Sequence, residues 1–144
     1  MDGVSDSAVR AARDIRVVFS RLRRRLKEIA VDGLTPSQTA VLTRLWKEGP
    51  SSASVLAGAE RVRPQSMATI LAVLGQRGLI KRAPDPSDGR RQVVSLTPAG
   101  KMRAESDRRT REEWLARTMQ ERYTESERRV IVDALSLLER LTEQ

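Results

Sequence analysis

Four charged side chains lie within one short turn of the chain, at Asp85, Asp88, Arg90 and Arg91. A proline and a glycine in the same stretch are typical of a turn, so these charges stand at a tip and not against a core. Guanidinium groups bind phosphates and carboxylates through paired hydrogen bonds, and a nearby carboxylate can hold a guanidinium in one orientation. We therefore predict that Asp88 orients Arg90 through a charge-assisted pair.

The absence of cysteine and histidine removes most catalytic chemistry. Thiol redox reactions, thiolate nucleophiles and Cys/His zinc sites are excluded, and the commonest general base at neutral pH is missing. The sequence shows no Ser-x-x-Lys pattern, phosphate-binding glycine loop or metal-ligand constellation. We expect no enzymatic activity, no cofactor and no metal.

The formal net charge of +8 is unevenly distributed along the 144 residues. Residues 101–144 hold ten basic and ten acidic side chains, so residues 1–100 carry the whole excess. A basic region beside a balanced one is typical of a polyanion-binding module joined to a region with another task. Charge alone leaves open the alternative of a basic surface that only keeps the protein in solution.

Length and hydropathy predict one structural domain per subunit and no membrane contact. No apolar run approaches the roughly 18 residues of a membrane span. The acidic N-terminus precedes no apolar segment of the kind found in a signal peptide. We expect a cytoplasmic protein.

Apolar spacing and capping residues predict helices interrupted by one hairpin. The first amphipathic helix runs from about Ser7 to Ile29 and ends at Val31-Asp32-Gly33. The later helices start at Thr35-Pro36, Ser51-Ser52, Arg63-Pro64, Thr97-Pro98 and after Tyr123-Thr124, with strands at 79–82 and 92–96. The fold class is mainly α with a small β-hairpin (α+β).

Three helices followed by a two-stranded hairpin form the order of a winged helix-turn-helix. In that motif the last of the three helices, here the one that starts at Arg63, lies against the nucleic acid. The hairpin extends beside it, so Arg90 at the tip can enter a minor groove, whose negative potential attracts arginine. Arg91 is then available for a phosphate or for a structural pair.

The hairpin sequence resembles the wing of MarR-family transcription regulators. The residues that carry the resemblance are Asp85-x-x-Asp88-x-Arg90-Arg91 and Leu96-Thr97-Pro98-x-Gly100, preceded by Leu56-Ala57, Arg63-Pro64-Gln65-Ser66-Met67, Leu74 and Gly78-Leu79-Ile80-x-Arg82. The resemblance covers nearly the whole chain. It implies a homodimer held by an N-terminal helix (1–32) and C-terminal helices (100–144), with a winged DNA-binding domain at 33–99. Two such domains would read a pseudo-palindromic operator in double-stranded DNA, with half-sites roughly 10 base pairs apart.

The resemblance also assigns roles to individual side chains. On the recognition helix, Gln65, Ser66 and Thr69 are candidates for base-edge contacts, with Arg63 at its entrance. Candidate phosphate contacts are Ser51, Ser52, Arg77 and Arg91. Arg63 departs from the family pattern, in which a small polar residue more often caps this helix.

The resemblance implies a repressor, the commoner mode in the family, which a small aromatic or anionic effector releases from DNA. Two other interpretations stay open. The stretch Gly75-Gln76-Arg77-Gly78 has the glycine spacing of a KH-type loop and would indicate RNA binding. A winged-helix protein can also serve as a protein-interaction module without binding an operator.

Overall fold

A computed structural model describes residues 2–29 and 33–143. These residues form α1 (Asp6–Lys27), α2 (Pro36–Glu48), α3 (Ala53–Glu60), α4 (Pro64–Gln76), β1 (Ile80–Pro84), β2 (Gln92–Leu96), α5 (Pro98–Arg122) and α6 (Glu125–Glu139). The predicted fold class, mainly helical with one hairpin, is confirmed. Val31 and Asp32, where the first helix was expected to end, lie outside the described residues, and α1 ends at Lys27.

Side-chain caps start several of these helices, and those at Thr35 and Ser52 are among the predicted ones. Thr35 Oγ1 accepts a hydrogen bond from the Gln38 N–H at 3.2 Å, and Gln38 Oε1 accepts one from the Thr35 N–H at 3.0 Å. The same reciprocal arrangement of Thr124 and Glu127 starts α6. Ser52 caps α3 by accepting from the N–H of Val55. Such caps satisfy N–H groups that have no partner inside the helix, which fixes where each helix begins.

An aliphatic core joins α2, α3, α4 and the hairpin. Its buried members are Val41, Leu42, Leu45, Leu56, Ala57, Met67, Leu71, Leu74, Ile80, Val94 and Leu96. Trp46 is partly buried against this cluster, in agreement with its place in the apolar pattern of α2. Because the inner face of each of these short helices packs against this core, the outer face is held in a fixed orientation.

The hairpin pairs β1 with β2 in antiparallel register, from Ile80 opposite Leu96 to Pro84 opposite Gln92. A third segment joins this sheet, because the Ser51 N–H donates to the Val94 carbonyl at 3.0 Å and the Val94 N–H donates back at 2.6 Å. The base of the hairpin is therefore fastened to the segment that leads into α3.

The Thr97-Pro98-x-Gly100 motif fixes the start of α5 against the residues that follow α4. Thr97 donates its hydroxyl proton to the Gly78 carbonyl, its N–H donates to the Leu79 carbonyl at 3.1 Å, and its Oγ1 accepts from the Gly100 N–H at 3.1 Å. A Cβ at Gly100 would lie 1.9 Å from the Leu79 carbonyl oxygen. Only glycine permits this close approach of two backbones.

Helices α1 and α6 contain no buried residue. Large apolar side chains are exposed on both helices: Val17, Val18 and Phe19 on α1, and Val130, Val132, Leu135 and Leu137 on α6. The chain forms two compact units, Met1–Asp107 and Arg108–Gln144. Among the residues that the structure describes, no helix is both long enough and apolar enough to span a bilayer.

Candidate nucleic-acid interface

The turn between α3 and α4 positions the candidate recognition helix. Arg61 ends α3 in the left-handed region (φ 55°, ψ 46°), and the Val62 N–H donates to the Ala57 carbonyl at 3.0 Å. Arg44 of α2 donates through Nε to Glu60 at 2.7 Å and through Nη1 to Glu48 at 3.0 Å. The hydrogen bond to Glu60 raises the pKa of Arg44 above its ordinary value. This half-buried ion pair ties α2 to the last residue of α3.

The residues predicted to contact bases lie on the outer face of α4. Gln65, Ser66 and Thr69 are exposed, whereas Met67, Leu71 and Leu74 on the opposite side are buried. The buried side fixes which residues face outward. The Thr69 hydroxyl donates to the Gln65 carbonyl at 3.2 Å, so its proton is already used within the helix.

Three further residues of α4 point outward, and the sequence prediction assigned none of them a base contact. Ala68, Ala72 and Gln76 are exposed and continue the same face as Gln65 and Thr69, at helical spacings of three and four. The spacing itself was sufficient to find them. Ala68 and Ala72 carry no side-chain hydrogen-bonding group, although their methyls can contact a base.

Arg63 precedes α4 as its N-cap residue and makes no side-chain capping hydrogen bond. The small polar cap usual in the family is therefore not replaced by the arginine itself. Pro64 in the first turn has no N–H to satisfy, which reduces the cost of the missing cap. Arg63 stays exposed, with its guanidinium available at the entrance of the helix.

The wing tip is built by its aspartates, but not in the predicted way. Asp88 Oδ1 accepts from the backbone N–H of Arg90 at 3.1 Å, and the Asp88 carbonyl accepts from the Arg91 N–H at 3.0 Å. No ion pair within 4.0 Å joins Asp88 to the Arg90 guanidinium in this described segment. The predicted charge-assisted pair is thus wrong for the free protein. Because an aspartate two residues ahead of an N–H favours an Asx-turn, Asp88 orders the backbone that carries Arg90.

Asp85 orders the other side of the tip. Its Oδ1 accepts from the N–H of Ser87 at 2.9 Å and from the Ser87 hydroxyl at 2.7 Å. These hydrogen bonds, with a smaller contribution from the charge of Arg91, hold the pKa of Asp85 below its ordinary value. The Asp85 N–H in turn donates to the Arg91 carbonyl at 2.9 Å, which closes the hairpin. Arg90 and Arg91 both remain exposed.

The three other candidate phosphate contacts differ in which of their hydrogen-bonding groups are already used within the protein. The backbone of Ser51 is used in the sheet. The Ser52 hydroxyl accepts from the Val55 N–H at 3.3 Å and forms a second hydrogen bond with the Ser54 hydroxyl at 3.2 Å, in which either oxygen can be the donor. Arg77 is exposed at the end of α4. Its Nη1 lies close to Gly33 in the loop before α2: a Cβ added to Gly33 would be 2.9 Å from this nitrogen. All of these residues belong to the first compact unit.

The stretch with KH-type glycine spacing closes α4. Gly78 adopts the left-handed conformation (φ 71°), and the Leu79 N–H donates to the Leu74 carbonyl at 3.0 Å. The chain then enters β1 and not a second helix, so the geometry of a KH loop is not formed. Across the described residues, no group of three or more His, Cys, Asp or Glu side chains is placed to hold a metal ion.

Comparison with known proteins finds similarity over nearly the whole chain. The MarR family model matches residues 34–92. An HTH-type transcriptional regulator of Mycobacterium bovis is 36% identical over 140 residues, which span 96% of this chain and 97% of that protein.

Two solved structures extend the likeness to the fold. A transcriptional regulator from Pseudomonas aeruginosa is 34% identical, with a TM-score of 0.79 over 98% of this chain and 100% of its own. A regulator from Thermotoga maritima, 23% identical, has a TM-score of 0.73 over 92% of this chain and 97% of its own, and it supports the fold alone.

Proposed function

Because the chain belongs to the MarR family of transcriptional regulators, which bind DNA and are not enzymes, we propose that it is a cytoplasmic homodimeric repressor of a pseudo-palindromic operator. The observation that carries the proposal is the pairing, within one compact unit, of an exposed uncharged face on α4 with a hairpin that ends in two exposed arginines. The face suits base edges and the hairpin suits the backbone and minor groove.

Each candidate residue has a role that follows from its chemistry. Gln65 can pair with adenine through its amide, and Ser66 can accept from or donate to several bases. Arg90 enters the minor groove, and Asp88 supports it by ordering the turn beneath. Arg63 at the helix entrance reaches a base edge or a neighbouring phosphate.

Phosphate contacts set the register of the protein on the duplex. Arg77 supplies positive charge at the end of α4 and Arg91 at the hairpin tip. When Ser54 is the donor in the hydrogen bond between the two hydroxyls, Ser52 can donate its own proton to a phosphate while still capping α3. Ser51 contributes only its hydroxyl, since its backbone groups are used in the sheet. Such contacts hold the duplex in place without distinguishing one sequence from another.

A second copy of the chain is the proposed cover for the exposed apolar residues of α1 and α6. Val130 and Leu137 on α6 are 67% and 61% exposed, so large apolar surfaces contact water at a cost in free energy. Two copies joined in this way present two α4 helices, as a two-fold symmetric operator requires.

Release by a small aromatic anion is the proposed regulation. One face of α1 gathers Arg13, Arg16, Arg21 and Arg24 beside Val9 and Ala12. In the described part of the chain, none of these four arginines has an acidic partner within 4.0 Å. An aromatic carboxylate would meet both the charges and the apolar surface. Titration of benzoate into a protein–operator complex should release labelled DNA, whereas equal concentrations of benzyl alcohol should not.

The experiment that tests operator binding compares nucleic acids directly. Fluorescence anisotropy would follow binding to a labelled duplex from the region upstream of the gene and to single-stranded RNA of the same sequence. With about 6–10 phosphates contacted, affinity for the duplex should fall about 10³–10⁵-fold between about 50 and 200 mM salt. Tighter binding to the RNA, or no binding to either, would favour the RNA-binding or protein-interaction alternative.

Arg90→Ala separates the wing contact from general charge. We expect at least about a five-fold loss of operator affinity, the range for a lost specific groove contact. Arg117→Ala removes the same charge from an exposed position of α5 outside the proposed interface and serves as the matched control. Equal affinities for the two variants would remove Arg90 from the site.

A further inference from the structure

The exposed face of α4 extends beyond the residues predicted to contact bases, and all of its side chains are uncharged. Its exposed residues Gln65, Ala68, Thr69, Ala72 and Gln76 follow one another at spacings of three, one, three and four. At 1.5 Å per residue this row extends roughly 16 Å along the helix, about five base-pair steps. The row therefore covers enough length to meet several consecutive base pairs.

The row carries no charged side chain. Between Pro64 and Gln76 the sequence has no Arg, Lys, Asp or Glu. In the major groove, guanine is read mainly by Arg or Lys on its two acceptors, and cytosine by a carboxylate on its amino group. The central part of α4 therefore has neither of the chemistries that select a G·C pair.

The groups that are present suit A·T pairs. The amides of Gln65 and Gln76 match the adjacent acceptor and donor of adenine, and the methyls of Ala68 and Ala72 match the C5-methyl of thymine. Thr69 joins the second group, because its hydroxyl proton is donated to the Gln65 carbonyl and its methyl remains. Two alanines on one face also allow the helix backbone to approach the bases closely.

Resting on the proposed function, we propose that each operator half-site presents a run of A·T pairs to α4. The thymine methyls contact Ala68, Thr69 and Ala72, while Gln65 and Gln76 bind adenines at the two ends of the row. The arginines that flank the row, Arg63 and Arg77, lie outside this selection.

The test removes single methyl groups from DNA. Operator duplexes selected from a random pool would be resynthesised with deoxyuridine in place of thymidine, which deletes the C5-methyl and leaves base pairing unchanged. Affinity should fall about four-fold for each contacted thymine, the change expected from one buried methyl. Deoxyuridine outside the half-sites should have no effect.

A double-mutant cycle assigns one methyl to one residue. Thr69→Ser removes the side-chain methyl and keeps the hydroxyl, so the uracil penalty should disappear at one thymine per half-site. Thr118→Ser is the matched control, since Thr118 makes the same hydrogen bond to a carbonyl four residues earlier, at 2.8 Å, in the other compact unit.

The outcomes distinguish this inference from the function on which it rests. Selected half-sites rich in G·C, or uracil duplexes bound as tightly as thymine duplexes, would overturn the A·T assignment while leaving operator binding intact. An uracil penalty that persists unchanged in Thr69→Ser would remove Thr69 from the contact. Failure to enrich any duplex would overturn both proposals.

Discussion

Replacement of Gly100 by alanine should destabilise the protein through a collision between two backbones. The new Cβ would lie 1.9 Å from the Leu79 carbonyl oxygen and 3.0 Å from its carbon, although Cβ atoms essentially never approach other atoms more closely than 3.0 Å. From the difference between 3.0 and 1.9 Å, α5 or the start of the hairpin must move by about 1.1 Å. The hydrogen bond of Thr97 to the same carbonyl would be strained.

The size of the effect follows from these two contributions. Forcing an extra methyl into a packed site costs about 1–3 kcal/mol, and a weakened hydrogen bond costs about 1 kcal/mol. We expect Gly100→Ala to lower the free energy of unfolding by about 3 kcal/mol, and the melting temperature by roughly 6–12 °C for a chain of this length.

Urea unfolding followed by far-UV circular dichroism measures this change. The matched control is Gly58→Ala in α3, where a Cβ would meet nothing within 4 Å and the backbone is helical. Because alanine is the better helix former, this control should leave stability unchanged or raise it by up to about 1 kcal/mol. Equal unfolding free energies for the two variants would refute the close approach of Gly100 to Leu79.

Three further changes test other parts of the structure. Arg61→Gly should raise the free energy of unfolding by about 0.5 kcal/mol, since glycine accepts the left-handed conformation without strain; a loss of stability in urea unfolding would contradict this. Asp88→Asn keeps the acceptor for the Arg90 N–H and should bind the operator at least as tightly as the original, whereas Asp88→Ala should bind about five-fold more weakly; equal weakening of both would mean that the carboxylate charge itself is needed. The Thr124 N–H holds the pKa of Glu127 below its ordinary value, so the contribution of this cap is complete above the ordinary carboxyl pKa and is lost as the pH falls through the lowered pKa. NMR titration of the Glu127 carboxyl carbon measures that shift, and a midpoint at or above the free-peptide value would contradict it.

Local chemistry was sufficient to predict where most elements begin and end. Thr35 and Thr97 each precede a proline and supply a hydroxyl to a backbone N–H, so both predicted starts are confirmed. β1 begins at Ile80 and not at Leu79, because the N–H of Leu79 closes α4 and its carbonyl bonds Thr97. Neither bond is visible in the local pattern.

Features that depend on distant parts of the chain escaped prediction. Ser51 pairs with Val94 across 43 residues, and Arg44 reaches Glu60 from another helix.

The local contact of Asp88 was predicted with the wrong group of Arg90, because spacing alone does not distinguish the guanidinium of Arg90 from its N–H. The base-contact and phosphate roles of individual side chains remain predictions.

Selection of bound duplexes from a random pool, followed by sequencing, tests most directly whether two copies of this chain read one operator. We predict enrichment of an inverted repeat whose half-site centres lie roughly 10 base pairs apart. Enrichment of a single site without symmetry, or of no sequence at all, would contradict the proposed dimeric reading of DNA.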